Sequence, residues 1–71
     1  MSDVERQVRF LVNTSVADGI SSACHASIAV IRRAIHVEQQ SDAPRVSLIR
    51  GLTAELRRKE RAAAAAPKDA A

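Results

Sequence analysis

The stretch Gly19-Ile20-Ser21-Ser22-Ala23-Cys24-His25-Ala26-Ser27-Ile28-Ala29-Val30-Ile31-Arg32-Arg33-Ala34-Ile35-His36-Val37 sets the expectation for the whole fold. Ile20, Cys24, Ile28, Ile31 and Ile35 advance by 4, 4, 3 and 4 residues, an apolar seam along one side of a helix. Ala23, Ala26, Val30, Ala34 and Val37 make a second, smaller apolar face, displaced by about 120° or more when residues advance by about 100° each. A helix with two apolar faces is sandwiched between neighbours, so this spacing predicts a central helix. Two heptads are too few to argue a coiled coil.

Working outward, Asp3 to Val16 places Val4, Val8, Leu11, Val12 and Ser15 within one third of a helical circumference, with Ser2 or Asp3 as a cap. Val8-Arg9-Phe10-Leu11-Val12 also suits a short strand through its β-branched and aromatic content, but helix is the favoured reading. Asn13, Thr14, Ser15, Asp18 and Gly19 form a polar breaker before the central helix. On the other side, Ser41-Asp42-Ala43-Pro44 is a helix start, with Asp or Ser capping and Pro tolerated in the first turn. Leu48, Ile49, Leu52 and Leu56 continue as a stripe through Gly51, which costs about 1 kcal/mol relative to Ala. That helix is expected from Ala43 to Ala65, followed by a frayed, disordered Ala-rich tail over 66–71. The fold expected is all-α: a small three-helix arrangement over residues 1–65, in one domain.

A chain of 71 residues with one Phe and no Trp or Tyr fills its core with Val, Ile, Leu and Ala. Chains of this size bury only about 60% of the surface exposed when unfolded, so stability is marginal and a partner covering apolar surface would add to it. The single cysteine, Cys24, forms no intramolecular disulfide, which points to a reducing cytoplasm. Met1-Ser2-Asp3-Val4-Glu5-Arg6-Gln7-Val8-Arg9-Phe10 does not read as a signal peptide, and no apolar run approaches the roughly 20 residues that cross a bilayer.

The net charge of +3 is unevenly spread. Residues 1–43 hold Arg6, Arg9, Arg32 and Arg33 against Asp3, Glu5, Asp18, Glu38 and Asp42, a balance of −1. Residues 44–71 hold Arg45, Arg50, Arg57, Arg58, Lys59, Arg61 and Lys68 against Glu55, Glu60 and Asp69, a balance of +4. A basic half suits an acidic protein surface or a phosphate backbone. A solvated face is the bland alternative, since Arg is also a good helix former.

Chemistry is harder to find. His25 and His36 fall on the same side of the expected central helix, but at about 1.5 Å rise per residue they lie about 16 Å apart, too far to share an ion. Cys24 faces the main seam and reads as a small core residue. No nucleophile elbow and no Gly-rich phosphate loop is present; Gly19 and Gly51 are isolated. No catalytic, cofactor-binding or metal-binding residue is therefore assigned, and no cofactor is expected.

A nucleic-acid role has the right charge but lacks the interleaved aromatics of single-strand binders. A dimeric ribbon-helix-helix repressor would use Arg6 to Val12 as its strand and Ser27 to Ile35 as its second helix. Phe10, Leu11 and Val12 are consecutive apolar residues, however, and the first helix would be squeezed into Val16 to Ala26. The opening Met1 to Phe10, with the short basic helical remainder, resembles the small transcription regulators of Xanthomonas bacteriophage that bind host RNA polymerase. The resemblance implies a non-enzymatic protein of the bacterial host cytoplasm that binds RNA polymerase subunits, inhibits transcription initiation and promotes read-through of terminators.

The candidate partner-binding residues are Phe10, Arg33, Arg50, Arg57 and Arg61. In a helix from Asp3 to Val16, Phe10 projects away from the Val4, Val8, Leu11 and Val12 stripe, and aromatic anchors are enriched among binding hot spots. In the last helix the apolar stripe centres about 55° from Leu48, whereas Arg50, Arg57 and Arg61 fall between about 180° and 220°. Arg45 and Lys59 lie near the apolar stripe and Arg58 at its far flank, so these three are the bases best placed to face a partner while Leu52 and Leu56 hold the core. Glu55 and Glu60 sit off the arginine ridge.

Overall fold

Two serines decide where the chain turns. In the computed structural model, which describes residues 3–65, four helices follow one another: α1 (Asp3–Asn13), α2 (Val16–Ala23), α3 (Ile28–Gln39) and α4 (Val46–Ala65). Ser15 is extended, and its side chain accepts from the Asp18 N–H at 3.2 Å; Ser27 is also extended and accepts from the Val30 N–H at 3.3 Å. Each hydroxyl satisfies one of the amides that a helix start leaves without a partner. Ser2, one of the expected caps, and the expected tail over 66–71 lie outside the described residues.

The all-helical expectation holds, but the count is four rather than three. The expected central helix is two helices, because the chain tightens after Ala23 into short-range bonds (Cys24 N–H to Ser21 O, His25 N–H to Ser22 O, Ala26 N–H to Ala23 O) before Ser27 restarts it. Gly19, expected to be part of a breaker, sits buried inside α2, and the break after α1 is only Thr14-Ser15. Arg6 to Val12 is helical, and among the described residues there is no strand, so the ribbon of the ribbon-helix-helix alternative does not form.

α4 starts at Val46, not Ala43. Ser41 does not cap it; its hydroxyl donates back to the Glu38 carbonyl at 2.8 Å and closes the end of α3. The Ile49 N–H bonds the Arg45 carbonyl at 3.0 Å, so Arg45 is the residue at the threshold of α4. Its own N–H donates to the Glu38 carboxylate at 2.9 Å, an acceptor from the preceding helix that replaces the local Asp42.

α2 and α3 each pack against both α1 and α4. The two apolar faces expected of a single helix are in this way divided. Ile20 and Ala23 belong to α2, while Val30, Ile31 and Ala34 sit in α3 between its two neighbours. One core joins Val8 and Leu11, Ala23 and Ala26, Val30, Ile31 and Ala34, and Leu48 and Leu52. Small residues let the helices approach closely. A Cβ on Gly51 would overlap Cγ1 and Cδ1 of Ile20, and one on Gly19 would lie 3.1 Å from the Leu11 carbonyl oxygen. The glycine that reads as a weakness in α4 is the slot that receives Ile20.

Candidate interaction surfaces

The basic side chains divide into those that hold the fold together and those that face outward alone. Arg45 belongs to the first group. Its guanidinium donates to the Thr14 carbonyl at 2.8 Å, to the Val12 carbonyl, and to both carboxylate oxygens of Glu38 at 3.2 and 3.4 Å. The Val12 carbonyl is in the last turn of α1, where acceptors lack helical partners and a cation is favoured. Glu38 is only 4% exposed. Burial by itself raises a carboxyl's pKa, but the side-chain bonds, the backbone N–H and the charge of Arg45 together hold Glu38 below the usual glutamate range.

Arg58 and Lys59 are also engaged within the chain. Arg58 donates to Glu55 through Nε at 3.2 Å and Nη2 at 2.9 Å, and Lys59 Nζ donates to the Cys24 carbonyl at 2.7 Å, just past the end of α2. The hydrogen bonds from Arg58 lower the pKa of Glu55 against its partial desolvation, and the same pair holds Arg58 more firmly charged. Arg45 and Lys59 are thus ties between elements of the chain, contrary to the expectation that they face a partner, whereas Arg58 pairs within α4 and stays exposed. A base near an apolar stripe is carried toward its own chain's neighbouring helices.

Cys24 departs from expectation too. It is exposed, beyond the last residue of α2, with its sulfur 3.6 Å from both oxygens of Glu55. Cys24 keeps helical geometry one turn after Ile20 and follows it along α4, from Gly51 to Glu55, but it sits at the end of α2, where no further helix among the described residues covers it. His25 lies in the turn after α2 and His36 on α3, so they do not share a helix as expected. Among the described residues no three His, Cys, Asp or Glu side chains gather as a metal site would require.

Arg33 is exposed on α3 with a long contact of 3.9 Å to Glu5. Arg32 is taken up by Glu60 across α3 and α4. Arg50, Arg57 and Arg61 are exposed on α4 and, like Arg6 and Arg9 on α1, have no hydrogen bond or ion pair among the described residues. At about 1.5 Å per residue the α4 trio extends over about 16 Å. Every described residue of α4 beyond Glu60 is exposed.

Phe10 is 56% exposed, outside the core, where its angular position predicts it. It separates two hollows. One, of about 270 Å³, is formed between α1 and the α2–α3 turn by Arg6, Gln7, Phe10, Leu11, Ser22, His25 and Ala26. The other, of about 380 Å³, is more open and is lined by Arg6, Arg9, Phe10, Asn13 and Thr14. Neither lining includes an α4 residue, so the expected site residues fall on separate faces: Phe10 on one, Arg50, Arg57 and Arg61 on another.

No family model, no curated protein and no solved structure matches this chain significantly. Its surface chemistry therefore carries the functional argument. Arg6 and Arg9 are the residues that the sequence reading missed. The signal was present: Arg6, Arg9, Phe10 and Asn13 fall within about 100° of arc, opposite the Val8 and Leu11 stripe.

Proposed function

We propose that this chain is a non-enzymatic transcription regulator that binds bacterial RNA polymerase and inhibits initiation, with antitermination as a second effect. The identity of the partner comes from the resemblance of Met1 to Phe10 to the phage regulators. The observation that supports an interaction role is Phe10, the chain's one aromatic ring, left 56% exposed beside arginines that have no partner among the described residues. Aromatic and arginine side chains together are the usual composition of interface hot spots.

The test is to titrate the full chain into purified bacterial RNA polymerase holoenzyme, then measure promoter-dependent transcription and terminator read-through in the same preparation. Saturable binding, with fewer promoter transcripts and longer terminated products, is the expected result. Absence of binding at micromolar concentrations refutes the proposal.

A DNA-binding role is the second reading, favoured by the row Arg50, Arg57 and Arg61. Phosphate contacts release counterions, so the slope of log affinity against log salt would shrink by about 0.9 for each contacting arginine replaced. Replacing all three by Glu and measuring duplex DNA binding across a salt series decides this reading.

A further inference from the structure

We infer that the Phe10 face of α1 binds an acidic segment of a protein partner that carries an apolar side chain between carboxylates. The hollow beside Phe10 has Leu11 and Ala26 in its lining, both buried core residues, so its floor is apolar. Its volume, about 270 Å³, lies below the roughly 300–1,000 Å³ of small-molecule sites, a size suited to one or two inserted side chains rather than a whole cofactor.

Charge selects the partner. Neither hollow around Phe10 has an acidic residue in its lining, whereas Arg6 lines both and Arg9 lines the second. Arg6 and Arg9 are three residues apart, about 4.5 Å along the helix axis, so two carboxylates one helical turn apart can each meet one guanidinium. Arginine with carboxylate gives the charge-assisted bonds that fix register, while the apolar side chain enters beside Phe10. A single nucleic-acid strand is the competing ligand. Such strands use successive aromatic platforms, and here one ring forms the wall of a hollow rather than a flat shelf.

This inference rests on the reading of the chain as an interaction protein, but not on RNA polymerase being its partner. The experiment is an NMR titration of the ¹⁵N-labelled full chain with a synthetic capped helical peptide carrying one Leu flanked by Glu on adjacent turns. Two controls are the same peptide with Lys replacing Glu and an oligo-dT strand. The expected result is saturable shifts confined to Arg6 to Asn13, Ser22, His25 and Ala26, with the Lys peptide weaker by at least about tenfold. Phe10→Ala and the double variant Arg6→Glu/Arg9→Glu should each weaken binding by about tenfold or more with circular dichroism unchanged, while Arg50→Glu/Arg57→Glu/Arg61→Glu should not. Shifts centred on α4, tighter binding of oligo-dT at the Phe10 face, or no saturable shift at millimolar peptide overturns the inference. Failure of the Glu peptide to bind overturns the inference while leaving the polymerase proposal standing. Peptide binding with no polymerase binding does the reverse.

Discussion

Replacing Arg45 by Met keeps an apolar stem of similar reach and removes the guanidinium, so it isolates what the charge does. The variant loses the bonds to Thr14, to Val12 and to both oxygens of Glu38, and keeps only the backbone N–H of residue 45 on the Glu38 carboxylate. Breaking a buried ion pair from one side costs about 3–5 kcal/mol. The Arg45 side chain is 35% exposed, however, so the released carbonyls can reach water, and about 2–3 kcal/mol is the better figure. For a chain of this size that corresponds to a melting temperature lower by about 10–20 °C. The pH dependence is the sharper readout. Glu38 has a depressed pKa in the folded wild type, so its contribution is present above the ordinary value of 4.5 and is lost as pH falls through that value and the lower folded one. In Arg45→Met, burial of Glu38 is opposed only by the backbone N–H of residue 45, so its pKa rises and acid weakens the folded state less than in the wild type. The stability gap between the two proteins should be greatest at neutral pH and should close in acid. Thermal and urea unfolding followed by circular dichroism measure it. A gap below about 0.5 kcal/mol at neutral pH, the range of ordinary surface substitutions, refutes the argument, as does a large gap that ignores pH.

Gly51→Ala should destabilise by about 1–3 kcal/mol, despite the better helix propensity of Ala, because the added methyl overlaps Ile20; combining it with Ile20→Ala should recover part of the loss in urea midpoint. Ser27→Ala should cost about 1 kcal/mol and speed amide exchange at Val30, the amide that its hydroxyl holds. Arg58→Met should leave the thermal midpoint nearly unchanged, since its pair with Glu55 involves an exposed arginine, in contrast to the loss expected for Arg45→Met.

What could be read from the residues followed the reach of periodicity. The stripes Val8-Leu11 and Leu48-Leu52 were legible because each repeats within one unbroken helix, and the exposure of Phe10 followed from the same angles. The four-helix count was not legible. The steps from Ile20 through Cys24 to Ile28 continue a helical rhythm across a real turn, and the only local mark of the break is the Ser27 cap, without a Glu or Gln at the third helical position to complete a capping box. Arg45 shows a different limit. It precedes α4, so a helical angle does not fix its direction, and periodicity does not say whether the group it meets belongs to a partner or to Glu38 and the end of α1.

The placement of Phe10 follows from how the rest of the chain is packed. The core is assembled from Val, Leu and Ile around Ala23, Ala26 and Ala34, with Gly19 and Gly51 at close contacts between helices. Phe10 itself stands outside this core, 56% exposed. Burying a Phe is worth about 1.5–3 kcal/mol, a large share of the stability of a domain this small, so leaving Phe10 outside forgoes a gain that the fold does not recover elsewhere. A partner that covers the ring recovers it on binding. The same surface carries Arg6 and Arg9, which have no ion pair among the described residues, whereas Arg45 and Arg58 are each matched to a carboxylate. Charges matched inside the chain keep the helices in place. Those left unmatched next to an uncovered ring are available to a second molecule.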